Sequence, residues 1–168
     1  MALSFNIKSI PSRFSRYKAI SDSALRHQVD FKIKQVAEGE RLVMWNKLHE
    51  LTSTWNHYPG FTYKTERNGD ELRVTVSTDD EIFYYLDQGT SVRYATMTDD
   101  FEPKTSVGSL KSSRGAGGLA YVSTKNPHEG IAARNFFGTL ADEREKPFDD
   151  NVERMINKVI DDWWNSLG

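Results

Sequence analysis

The sequence holds 168 residues, about 19.2 kDa, which is enough for one domain with its own core and no staples. Its 38% apolar and 12% aromatic content argues against wholesale disorder, and a net charge of −2 excludes a polybasic nucleic-acid binder. Cysteine is absent, so disulfide frameworks, thiolate metal sites and cysteine nucleophiles are excluded, and no apolar run approaches the roughly 20 residues of a membrane span.

The first stretch, MALSFNIKSIPSRFSRYK, has no continuous apolar core and reads as no signal peptide. Phe5, Ile7, Ile10, Phe14 and Tyr17 show no long helical period, and Pro11 interrupts them. Residues 1–20 therefore read as an arm, with a short strand or helix, that orders against a neighbour. A long helix follows, with Ser21 or Ser23 as N-cap. Leu25, Val29, Ile33, Val36, Val43 or Met44, Leu48, Leu51 and Trp55 recur at three- and four-residue steps. Gly39 marks a possible kink, and Pro59-Gly60 bound the helix at its end.

FTYKTER and ELRVTVS alternate at period two around Asn68-Gly69-Asp70, the signature of a hairpin. Asp80 then caps a short aromatic helical turn, IFYYLDQ, which Gly89 closes in a left-handed conformation. Ile82, Phe83 and Tyr85 can anchor this turn on the core. SVRYATM and LAYVSTK read as strands. Between them residues 104–118, rich in Ser, Gly, Lys and Arg, read as a mobile functional loop. A turn at 126–130 leads into a short helical piece, IAARNFFGTLADE. A separate final helix begins at Asp149 or Asp150 and carries Val152, Met155, Ile156, Val159, Ile160 and Trp163 as its apolar stripe. Helices at both ends and strands between, without βαβ alternation, give an α+β fold: a small, mostly antiparallel sheet packed against a long N-terminal helix and a C-terminal helix. The domain spans 21–168 beyond the arm.

The charges divide along the chain. Residues 1–34 carry seven basic groups and two acidic ones, while residues 141–168 carry four basic and eight acidic. Solvated surface accounts for this, and so do complementary faces docking head to tail between subunits.

Chemistry-bearing motifs are scarce. RGAGG lacks the ending of a phosphate-binding loop, and there is neither a Gly-x-Ser-x-Gly elbow nor a His-Glu-x-x-His pair. His27, His49, His57 and His128 lack metal-ligand spacing. Of the Asp pairs at 79–80, 99–100, 149–150 and 161–162, three sit at element ends, where caps and turns explain them, and the loop serines have no adjacent base. No catalytic residue, metal or cofactor is assigned. Lys104, Lys111 and Arg114 could touch phosphate or a neighbouring subunit, but no aromatic beside them offers a stacking surface. With Arg13, Arg16 and Trp164 they are the candidate subunit or DNA-channel contacts. Trp163 and Trp164 cannot both point inward, which makes Trp164 a candidate subunit contact, with simple packing at the core edge as the alternative.

Two segments carry a family resemblance. Residues 80–95, DEIFYYLDQGTSVRYA, hold an aromatic turn ending in Gly89-Thr90, with Arg93 just beyond. Residues 130–137, GIAARNFF, hold Gly130, Ala133, Arg134, Phe136 and Phe137 ahead of the terminal helix. In this order and spacing they resemble the tail-component, head–tail joining proteins of tailed bacteriophages, over roughly residues 22–165. Two departures stand out: Pro59-Gly60-Phe61-Thr62 does not match the Thr-Gly-x-Leu turn of many members, and the stretch around Pro147 is long.

The resemblance implies a non-enzymatic virion protein of the phage neck or tail top, assembled in the host cytoplasm. It would act as a tail-completion or terminator protein in a ring, a hexamer, between connector and tail-tube proteins, with genomic DNA passing through and no membrane contact. A head-completion or stopper protein of the same neck is the first alternative. A small nucleic-acid-binding module using the 104–118 loop is the second, and an enzyme with an unrecognised site is the third. In the sequence alone, Gly89 permits positive φ, Arg134 can snorkel or pair, and Phe136 and Phe137 dock the last helices.

Overall fold

A computed structural model describes residues 2–90 and 131–167. The strands expected at 91–97 and 119–125, the loop at 104–118 and the turn at 126–130 lie outside the described residues. The fold is α+β. Three antiparallel strands, β1 (Leu3–Ser9), β2 (Thr62–Asn68) and β3 (Glu71–Thr78), form a sheet in the order β1-β3-β2. The helices are α1 (Ser15–Lys18), α2 (Ser23–Thr52), α3 (Glu81–Gln88) and α4 (Phe136–Ser166).

The hairpin forms where the alternation places it. Asn68 pairs with Glu71, leaving Gly69 and Asp70 as the loop, and Gly69 takes φ +58° as such a turn requires. On β3, Leu72, Val74 and Val76 are buried, while the residues between them stay partly exposed. In register beside them, Phe5 and Ile7 of β1 point to the same face. On that face α4 packs over β1 and α2 over β2 and β3, and the two helices pack against each other. The core lies between these two layers.

The N-terminal stretch is not a separate arm. β1 is a full strand of the sheet, and Tyr17 of α1 is 1% exposed. The Tyr17 hydroxyl donates to Asp30 Oδ1 at 2.7 Å and accepts from Arg67 Nη2 at 2.7 Å, and Arg26 lies 4.0 Å over the ring. Alternation over only seven residues, broken by Pro11, is too short a pattern to separate an edge strand from an arm.

In α2 the stripe of Leu25, Val29, Ile33, Met44 and Leu48 is buried, and Leu51 is exposed. The cap is Asp22, whose carboxylate accepts from the Leu25 amide at 2.7 Å, rather than either flanking serine. The helix runs through Gly39 without interruption and ends at Thr52. A glycine there costs about 1 kcal/mol relative to alanine, which packing on both sides of it offsets.

The largest departure is at the C-terminus. The short helical piece and the final helix are one 31-residue helix with Pro147 inside it. A mid-helix proline costs about 3 kcal/mol and leaves the Glu143 carbonyl without its helical donor. Leu140, Phe148, Val152 and Ile156 are buried on either side of the proline, so the packing of both halves on the same core keeps the axis continuous. Asp149 and Asp150 are therefore not caps. Asp149 accepts from Ser9 Oγ at 2.7 Å and from Arg13 Nη2 at 2.8 Å, and Asp150 pairs with Lys146.

Candidate functional site

The two segments that carry the resemblance meet in space. Asp80 caps α3 through the Phe83 amide at 2.8 Å, and Gly89 ends the helix at φ +75°. The chain then closes on residues 131–135. The Thr90 amide donates to the Ile131 carbonyl at 2.8 Å, and the Ile131 amide donates back to Thr90 Oγ1 at 2.9 Å. Next, the Arg134 amide donates to the Leu86 carbonyl at 3.1 Å and the Asn135 amide to the Asp87 carbonyl at 3.0 Å. Asn135 takes φ +48°, a conformation asparagine tolerates, and turns the chain into α4.

Gly89 is needed here twice over. Its φ is positive, and a Cβ would stand 2.7 Å from the Ile131 carbonyl oxygen and 2.8 Å from the Ala133 amide nitrogen. Thr90 supplies the hydroxyl that closes the clasp, and Ala133 brings its backbone against Gly89.

The clasp rests on an aromatic cluster. Phe83 is fully buried, 4.9 Å from Phe137 and 5.7 Å from Phe136 between ring centroids, with Phe61 and Trp55 around it. Phe137 also meets Phe5 of β1 at 4.7 Å. Phe136 and Phe137, at the start of α4, both pack against Phe83. Of the anchors expected in α3, Phe83 serves, while Ile82 is exposed. The Arg134 guanidinium lies 6.0 Å from the Phe136 ring and its side chain is otherwise exposed.

Two buried carboxylates escaped the sequence reading. Asp87, 1% exposed, accepts from the Phe137 amide at 2.9 Å and from Gln88 Nε2 at 2.6 Å, so it satisfies an orphan amide at the start of α4. Its signal was an acid in the last turn of a helix, where the dipole disfavours it. Glu40, 3% exposed, receives the Arg144 guanidinium in a bidentate pair at 2.7 and 2.8 Å. Its signal was its place in the apolar stripe between Ala37 and Met44.

The remaining candidates are scattered. Arg13 pairs with Asp149, and Arg16 pairs with Asp161 at 2.6 Å. The basic start and acidic end of the sequence thus meet within the chain itself, a use of the charge division that the sequence reading did not include. Trp163 packs at the core edge and Trp164 is 64% exposed, as their adjacency on a helix requires. Arg93, Gly130, Lys104, Lys111 and Arg114 lie outside the described residues.

Asp80 also pairs with His57. Burial pushes the Asp80 carboxyl up, but the His57 and Phe83 hydrogen bonds outweigh it and hold the group below the ordinary carboxylate range. Among the described residues no group of three or more His, Asp or Glu could hold a metal, and no helix is long and apolar enough to cross a membrane. Among the described residues, the outer side of the α2–α4 pair has shallow clefts of about 450, 380 and 410 Å³. Comparison of the chain with protein-family models, curated proteins and solved structures finds no match.

Proposed function

We propose that this protein is a structural, non-catalytic component of the neck or tail top of a tailed bacteriophage, a tail-completion or terminator protein that assembles in the host cytoplasm and remains in the virion. One observation carries the reading. The Gly89-Thr90 turn and the Ala133-Arg134-x-Phe136 segment, which resemble that family in sequence, fasten to each other through four backbone amides and hold the start of α4. A motif pair far apart in sequence and joined in space behaves as one structural unit. In this role the subunits form a ring, a hexamer by resemblance, between connector and tail-tube proteins, and DNA passes through without sequence readout. Trp164, exposed beside the core edge, is a subunit contact in this assembly.

Native mass measured by light scattering tests the reading, on the purified protein alone and mixed with tail-tube protein. A ring, alone or on mixing, is the expected result. A monomer under both conditions, together with virions that still join heads to tails when the gene is deleted, overturns it.

A further inference from the structure

The middle cleft on the outer side of the α2–α4 pair has two features that the subunit itself does not use. Its floor is aliphatic, formed by half-buried Val36, Val43 and Met155. Gly39 lies among them, in the middle of a 30-residue helix. A Cβ at Gly39 would meet nothing within 4 Å, and its φ is not positive, so neither crowding nor backbone conformation demands glycine. The missing side chain leaves the cleft open.

The second feature is charge. Arg154 and Lys158, one turn apart on α4, line the cleft, are exposed and have no acidic partner among the described residues. Their neighbours differ: Arg144 is neutralised by Glu40, and Lys146 pairs with Asp150. Two unpaired cations above an aliphatic floor complement a segment that is both acidic and apolar. The seam between two antiparallel helices has the shape that a third helix fills, ridge into groove. Nucleic acid fits less well, because no aromatic in this cleft offers a base a stacking face.

We propose that the α2–α4 seam at Gly39 is the docking groove for an acidic amphipathic helix of a partner protein. A bulky apolar side chain of that helix sits over Gly39, and its carboxylates face Arg154 and Lys158. This interaction surface is independent of the neck assignment.

The probe is a ribosome-displayed library of random peptides, each about 16 residues long, a length of a few helical turns. The folded full chain is the bait. Gly39→Met, which fills the cleft, and Arg154→Glu/Lys158→Glu, which inverts its rim, are the counter-baits. Methionine has the better helix propensity, so G39M melts no lower than the parent, which separates occlusion from unfolding. The expected outcome is enrichment of net-acidic sequences with Leu, Phe or Trp at helical spacing, binding about tenfold or more weaker to either counter-bait. Selected peptides without acidic bias, or binders indifferent to both counter-baits, overturn the proposal. So does an absence of binders. A parent chain whose self-association is abolished by G39M also overturns it, because a second copy then occupies the seam.

Discussion

The two halves of α4 share one core and differ in the buried polar contacts they add to it. Residues 136–146 bury Phe137 and Leu140 in the core and add position-specific polar contacts: the clasp at Gly89, the Asp87 carboxylate on the Phe137 amide, and the buried Glu40–Arg144 pair. Residues 148–163 enter through volume: Phe148, Val152, Ile156, Val159 and Ile160 fill a core with exposed ion pairs around it. Polar contacts depend on atom positions and have few substitutes, whereas an apolar stripe accepts neighbours of similar shape. Both halves are thus packed on one core, and the first is in addition specified by polar geometry.

The largest effect should come from breaking the buried pair. Glu40→Ala leaves the Arg144 guanidinium without its partner and should destabilise by about 3–5 kcal/mol in urea unfolding. The double variant Glu40→Leu/Arg144→Leu should recover most of that loss, and no recovery would break the contrast. Next, Gly89→Val combines a strained φ with a clash at the Ile131 carbonyl and should cost about 3 kcal/mol or more. A near-neutral result there would mean that the clasp does not hold the start of α4. In the packed half, Ile156→Val should cost only about 1 kcal/mol, read from the same curves.

The pH dependence sharpens the polar side. Because the folded Asp80 pKa lies below its ordinary value near 4, its ionised form is stabilising above about pH 4. That contribution is lost as pH falls through the lowered folded value. Asp80→Asn keeps a cap oxygen and should flatten the acid limb of the stability profile, with a change under about 1 kcal/mol at pH 7. The smallest effect belongs to Arg16→Ala. Its exposed pair with Asp161 should leave the melting midpoint unchanged.

Local signals were readable wherever one residue type answers one local demand. Gly69 in a two-residue hairpin, Asp80 at an N-cap and Gly89 at a C-cap each meet a backbone requirement visible within a few positions. The fold class followed from their order. What was not readable depended on partners distant in sequence. Pro147 predicts a break on local grounds, and only the core on both sides of it keeps α4 whole. Asp22 displaced Ser21 and Ser23 as the cap, a choice among residues of nearly equal capping strength. β1 looked like an arm because its partner lies about 70 residues on. The candidate site was half legible: Gly89, Thr90, Ala133, Phe136 and Phe137 were named from sequence, but the buried acids Asp87 and Glu40 have partners 50 and 104 residues away.

The place of β1 has a consequence in time. β1 is made before its sheet partner β3, which ends at Thr78, and before α4, the helix that covers it. During synthesis Phe5 and Ile7 therefore wait, uncovered, until α4 has been made. Such a chain completes its core only once α4 has emerged, and its most distant contacts set the rate of that closing step.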